Sequence, residues 1–84
     1  MDSIYFSERE TMTVDLHEMN MAQAHAHLKA KVDHAPAYIK EVVVIHGYNN
    51  GTALQKMVRK DFKHPRVNRK ILSMNQGVTS LLLK

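Results

Sequence analysis

The chain has 84 residues, no cysteine, and twelve Lys and Arg against eight Asp and Glu, a formal net charge of +4 with histidines neutral. That length supports one hydrophobic core and leaves no room for a second domain. The lack of cysteine excludes disulfides and thiolate metal sites and points to a cytoplasmic setting, because small secreted domains usually need such staples.

The opening Met1-Asp2-Ser3-Ile4-Tyr5-Phe6 lacks a basic region and a long apolar run, so it does not read as a secretory signal. Residues 1–10 have weak periodicity and are read as an N-terminal arm, with Ile4, Tyr5 and Phe6 as a short hook. The domain proper is expected over 11–84. Residues 11–17 alternate with the period of a strand, Met12, Val14 and Leu16 on one face and Thr13, Asp15 and His17 on the other. Asn20 followed by Gln23 reads as a capping box that starts a helix. Met21, Ala24, Leu28 and Val32 form its apolar stripe through about residue 32, and Ala35-Pro36 ends it. Tyr38 is expected to anchor the next strand.

Val42-Val43-Val44-Ile45 is apolar and β-branched throughout, as a central strand is. It runs into the turn His46-Gly47-Tyr48-Asn49-Asn50-Gly51. Thr52, with Gln55 three positions on, is expected to cap a second helix whose buried stripe is Leu54, Val58 and Phe62. His64-Pro65 closes that helix. Met57 and Met74 are read as core filler. Strands near 67–74 and 78–83, joined through Asn75-Gln76-Gly77, end the chain.

The order β-α-β-α-β-β predicts an α/β fold in two layers, helices against one face of a four-stranded mixed sheet. The other sheet face is left open, and the arm or a second copy of the chain is expected to cover it, which makes a homodimer one expected assembly. No stretch reaches the about 18 apolar residues of a membrane span, so a membrane is not an expected partner.

Positive charge is concentrated late in the chain: Lys56, Arg59, Lys60, Lys63, Arg66, Arg69 and Lys70 face Asp61 alone between residues 56 and 70. Such a surface favours phosphates and loses affinity with salt. Lys56, Arg59, Lys60 and Lys63 fall at helical spacing and read as one ridge. Two places combine reactive groups with strand ends. Asp15 and His17 project to one side of their strand, where a carboxylate can orient an imidazole and raise its basicity. The His46–Gly51 turn lies after a strand and before a helix, the usual ligand position in α/β sheets. Its glycines permit close approach, and the backbone N–H groups opening the helix at Thr52 can meet a phosphate oxygen. The turn is neither a Walker loop nor a dinucleotide fingerprint. If the two strands are neighbours, Asp15, His17 and His46 meet at one sheet edge. Six histidines suggest zinc only weakly, since His25 and His27 do not share a helix face, and His34 and His64 sit where a histidine can meet the last helical carbonyls.

Three motifs in order resemble the Smr domain, the small module also found at the C-terminus of some MutS-related proteins. Val14-Asp15-Leu16-His17 resembles the family's L-D-L-H-G, His46-Gly47-Tyr48-Asn49-Asn50-Gly51 its H-G-x-G-x-G, and Gly77-Val78-Thr79 its late G-x-T. The resemblance implies a fold like the C-terminal domain of bacterial translation initiation factor three, binding to DNA or RNA, and in some members endonuclease activity. It places the active surface on Asp15, His17, His46 and Gly47, with Gly51, Gly77 and Thr79 shaping loops. Four residues depart from the pattern: Glu18 stands where glycine is common, Tyr48 where lysine is common, Asn49 at the second loop glycine and Gln55 where arginine is common.

The implied chemistry gives His17 or His46 the role of general base on water or an RNA 2′-hydroxyl, the other histidine holding the phosphate or protonating the leaving oxygen. Asp15 orients His17. Backbone N–H groups of residues 47–53, spanning Tyr48, Asn49, Asn50, Gly51 and Thr52, stabilise charge on phosphorus together with Lys56, Arg59, Arg66, Arg69 and Lys70. Tyr48 can stack on a base. Cleavage of DNA would call for Mg2+ or Mn2+; cleavage through a 2′-hydroxyl would need no metal. Three readings stay open: a nucleic-acid-binding domain with weak or no endonuclease activity, a phosphodiester-cleaving enzyme, and a protein-interaction or regulatory domain of the same fold.

Overall fold

The alternating segment around Val14 and the β-branched run around Val43 pair as neighbouring parallel strands, and the rest of the chain is arranged about that pair. The structure, a computed structural model, describes residues 10–47 and 52–84. Its elements are β1 (Thr11–Asp15), α1 (Met21–His34), β2 (Glu41–Ile45), α2 (Ala53–Lys56), β3 (Val67–Leu72) and β4 (Val78–Leu83). The sheet order is β1-β2-β4-β3. β2 and β4 pair antiparallel, with Val44 opposite Thr79, and β3 joins β4 antiparallel as the second edge strand. The expected mixed four-stranded α/β fold is therefore observed. The expected arm lies outside the described residues, apart from Glu10.

Helix α1 begins as its capping box predicts: Asn20 Oδ1 accepts from the Gln23 amide at 2.8 Å, and Gln23 Oε1 accepts from the Asn20 amide at 3.2 Å. Its inward stripe is Ala24, Leu28 and Val32, all fully buried, whereas Met21 is largely exposed at the open first turn. These residues lie on one face of the sheet with Val14, Leu16, Val42, Val44, Leu81 and Leu83. Burying each large aliphatic side chain contributes about 1.5–3 kcal/mol. Val43 and Ile45 point the other way and are half-buried, and no described element covers that face.

The second helix departs from expectation. Thr52 makes no capping hydrogen bond, and Gln55 turns away to donate to the Gln76 carbonyl at 2.7 Å. After only Ala53–Lys56 the helix widens into a π-helical segment, Met57–Asp61, closed by the Phe62 amide donating to the Met57 carbonyl. The wide turn keeps Met57, Val58 and Phe62 buried while Arg59 leaves the expected solvent ridge and turns toward β4. Two further expectations fail. Tyr38 is 59% exposed and Met74 is 99% exposed, so neither anchors nor fills the core; Met74 sits on the β3–β4 turn beyond the reach of either layer.

The far end of α1 is tied down by Arg66. Its guanidinium donates to the carbonyls of Val32 (2.8 Å), Ala35 (2.6 Å) and Pro36 (3.3 Å), the first in the last turn of the helix and the other two just past its end. His64 was the expected partner of such carbonyls. Its Nε2 instead meets Asp33 Oδ1, and its Nδ1 accepts from the Arg66 amide. The imidazole therefore helps to hold Arg66 in place, and its ring stacks on Phe62. Arg66→Ala is expected to lower stability by about 2 kcal/mol in urea denaturation, the scale of lost hydrogen bonds to a charged group. Arg66→Lys should recover little of it, because an ammonium cannot span three carbonyls as a planar fork does.

Candidate functional site

Three loops meet at the end of the sheet where β1 and β2 finish and β4 begins. Their meeting is enforced by backbone. The amides of His46 and Gly47 both donate to the Gly77 carbonyl, at 2.9 and 3.0 Å. A β-carbon added to Gly77 would lie 3.2 Å from Gly47 Cα, so the two glycines permit an approach that side chains would hinder. Gly47 has a positive φ of 70° and also faces β1: a β-carbon built there would lie 3.4 Å from Cβ of His17. On the β4 side the turn is held by Asn75, whose Oδ1 accepts from the Gly77 amide at 2.8 Å. The Gly47 amide, expected as a phosphate donor, is thus already engaged by Gly77.

Asp15 and His17 form the exposed part of the site. Asp15 Oδ1 accepts from the His17 backbone amide at 3.0 Å and meets Nδ1 of its ring at 2.5 Å. Glu18 Oε2 lies 3.3 Å from the other ring nitrogen, Nε2. The hydrogen bond with Asp15, reinforced by the two carboxylate charges, raises the His17 pKa. The same bond lowers that of Asp15. His17 therefore stays an imidazolium to higher pH than an ordinary histidine, with its Nε2–H directed away from Asp15.

His46 is placed differently. It is 2% exposed. Its Nδ1 lies 2.9 Å from the Gly47 carbonyl and its Nε2 2.9 Å from Thr79 Oγ1. Burial lowers its pKa, and the nearby Arg59 charge adds to the effect. The expected meeting of Asp15, His17 and His46 is only half realised. β1 and β2 are neighbours, but Asp15 and His17 lie on the uncovered face, and His46 continues the phase of Val42 and Val44 toward the helices. That phase is readable in the sequence, and counting it forward from Val42 would have separated the two histidines.

The basic residues also divide. Arg59 donates from Nε to Thr79 Oγ1 at 2.7 Å and from Nη2 to the Val78 carbonyl at 3.0 Å. Lys70 donates to the Phe62 carbonyl at 2.7 Å, and burial lowers its pKa. Arg66 is committed to α1. Lys56 and Arg69 are exposed, Arg69 on the uncovered face opposite Leu82. Tyr48, Asn49, Asn50 and Gly51 lie outside the described residues. Among the described residues there is no group of three or more His, Asp or Glu that could hold a metal ion. What the sequence did not reveal is the Gln55–Gln76 latch and the inward turn of Arg59; neither leaves a periodic signal.

Sheet order, crossover helix and glycine-bracketed strand ends define a small two-layer α/β domain with its polar loops gathered at one end. The chain belongs to the Smr domain family, whose sequence model matches residues 14–81. Among solved structures it is similar to the Smr domain of Thermus thermophilus MutS2, with a TM-score of 0.76 at 23% identity, covering 87% of this chain and 98% of that one. No match was found among curated proteins. No helix among the described residues is long and apolar enough to cross a membrane.

Two outcomes test this geometry. In an NMR titration His17 should have its midpoint above the ordinary 6.5, and Asp15→Asn should bring it down. The sign follows from the raised folded value: the pairing contributes fully below the unfolded pKa and is lost as pH rises through the folded one. Gly47→Ala should cost about 1–2 kcal/mol in denaturant unfolding, the penalty for a β-carbon at positive φ.

Proposed function

We propose that this domain binds nucleic acid, seating a backbone phosphate against the His17 imidazolium on the uncovered face of the sheet. The observation that carries the reading is the Asp15–His17 pair: an exposed imidazole, fixed by a carboxylate that raises its pKa, beside the close Gly47–Gly77 contact. Membership of the Smr family supports it, since nucleic-acid binding is what resemblance to that family implies. Arg69 lies on the same face toward its other end, about 20 Å away along the strands by strand rise. A single strand crossing the face would then have a cationic group near each end, with the half-buried Val43, Ile45 and Val78 between them.

Cleavage of the phosphodiester is the second reading, and the same pair favours it. The Nε2–H of His17 suits proton donation to a leaving oxygen better than proton abstraction, because the neighbouring carboxylates raise the ring's pKa and favour its protonated form. His46 does not fit the acid or base role, as both its ring nitrogens are engaged inside the fold. Glu18 stands 3.3 Å from the nitrogen that would meet the phosphate and competes with it.

Binding and cutting would be measured at several salt concentrations on single-stranded RNA, structured RNA, and single- and double-stranded DNA, with and without Mg2+ or Mn2+. Wild type is expected to bind with a steep salt dependence. His17→Ala should weaken binding about tenfold and reduce the salt slope by about one. Glu18→Gln should strengthen binding about two- to fivefold, the range of one exposed charge contact. Cutting that is lost in His17→Ala would establish the nuclease reading. Wild type that neither binds nor cuts any of the four would overturn both and favour a protein partner, with exposed Ile71, Leu72 and Met74 as its first contact surface.

A further inference from the structure

Behind the exposed pair lies a polar chain, buried at its centre, whose direction can be worked out from donor and acceptor chemistry alone. The Gly47 carbonyl can only accept, so His46 Nδ1 carries a proton. Arg59 can only donate, so Thr79 Oγ1 accepts from Arg59 Nε at 2.7 Å. If His46 were also protonated at Nε2, the one hydroxyl would accept from two cations, and its own proton would have no acceptor among the described residues. The arrangement that satisfies every atom has a neutral His46, with Nε2 accepting the Thr79 hydroxyl proton at 2.9 Å. Thr79 is fully buried and His46 2% exposed, so solvent does not substitute readily for the link between them. The second arm of Arg59, on the Val78 carbonyl at 3.0 Å, fixes the guanidinium to β4 at the same point.

We propose that Arg59 and Thr79 are positioning residues of the nucleic-acid site: through the chain Arg59–Thr79–His46–Gly47 they hold His46 as a neutral ring protonated at Nδ1 and so set the Gly47 turn against which His17 is seated. The inference rests on the nucleic-acid reading for its functional half and on hydrogen-bond geometry for its structural half. It assigns Arg59 a place inside the fold rather than on a phosphate. It also explains the π-helical segment: Met57–Asp61 widens where Arg59 must turn inward while Met57 and Val58 remain buried. The lowering of the His46 pKa by burial agrees with the direction of the chain.

The tautomer is read directly by nitrogen-15 NMR of the imidazole rings, with no nucleic acid present. Wild type and Thr79→Ser should show His46 protonated at Nδ1 and bare at Nε2. Thr79→Val, of the same shape without the hydroxyl, should lose that tautomer and speed hydrogen exchange at the Gly47 amide. Binding of a fluorescein-labelled single-stranded oligonucleotide should weaken about tenfold in Thr79→Val at unchanged salt slope, and return in Thr79→Ser. Arg59→Gln should likewise weaken binding without changing the slope. A His46 protonated at Nε2 in wild type overturns the proposal without any variant. So does a Thr79→Val protein that keeps the wild-type tautomer, or an Arg59→Gln protein whose salt slope falls by about one, since that marks a phosphate contact. Wild type that binds no oligonucleotide overturns the functional half, while the tautomer still decides the structural half.

Discussion

The pairing of β2 with β4 is the constraint on which the site depends. With Val44 opposite Thr79 and Ile45 opposite Val78, the strand ends bring the Gly77 carbonyl onto the amides of His46 and Gly47. The same register stacks the Thr79 hydroxyl beside the His46 ring, because both continue the inward phase of their strands. β1 then needs only to lie alongside β2 for His17 to reach the back of Gly47. Each loop is ordinary by itself. Their geometry comes from a ladder of backbone hydrogen bonds that no loop residue controls.

Charge in this domain has two distinct duties. A cluster of seven Lys and Arg between residues 56 and 70 reads naturally as an anion-binding surface. The structure turns three of them inward or sideways onto backbone carbonyls and a hydroxyl: Arg59 to β4, Arg66 to the end of α1, Lys70 to the end of the helical segment. A core this small leaves helix ends close to the surface, where long cationic side chains can reach their unpaired acceptors. Net charge alone therefore overstates the surface available to a polyanion. The histidine count misleads similarly, since His46 and His64 serve as internal struts.

Most of the architecture is legible in the sequence because it rests on periodicity and capping. The alternation at Met12, Val14 and Leu16, the Asn20–Gln23 box and the β-branched run before His46 each appear where expected. The Asp15–His17 pair is equally legible, being two residues apart across the end of β1. The rest is not local. The π-helical widening has no signature at Met57, and it falls where Arg59 reaches the Thr79 hydroxyl of β4, twenty residues further on. Thr52 and Gln55 look like a capping box, yet Gln76 presents a better partner from across the site. Tyr38 and Met74 fail for the opposite reason: an apolar side chain next to a turn has no layer to enter.

The two histidines of the site stand on opposite faces of one sheet, and that has an unforgiving arithmetic. A strand reads in steps of two, so a slip of β1 by a single residue would exchange Leu16 for its neighbours, driving a carboxylate and an imidazole into the apolar layer and turning a leucine out. β1 is a five-residue edge strand, held among the described residues to β2 alone. Its frame is pinned at both ends, by the Lys40 amide on the Glu10 carbonyl and the Leu16 amide on the Ile45 carbonyl, each at 2.7 Å. Odd and even positions thus encode chemistry and cohesion separately in the same few residues. Any insertion or deletion between those two pins would scramble both messages together.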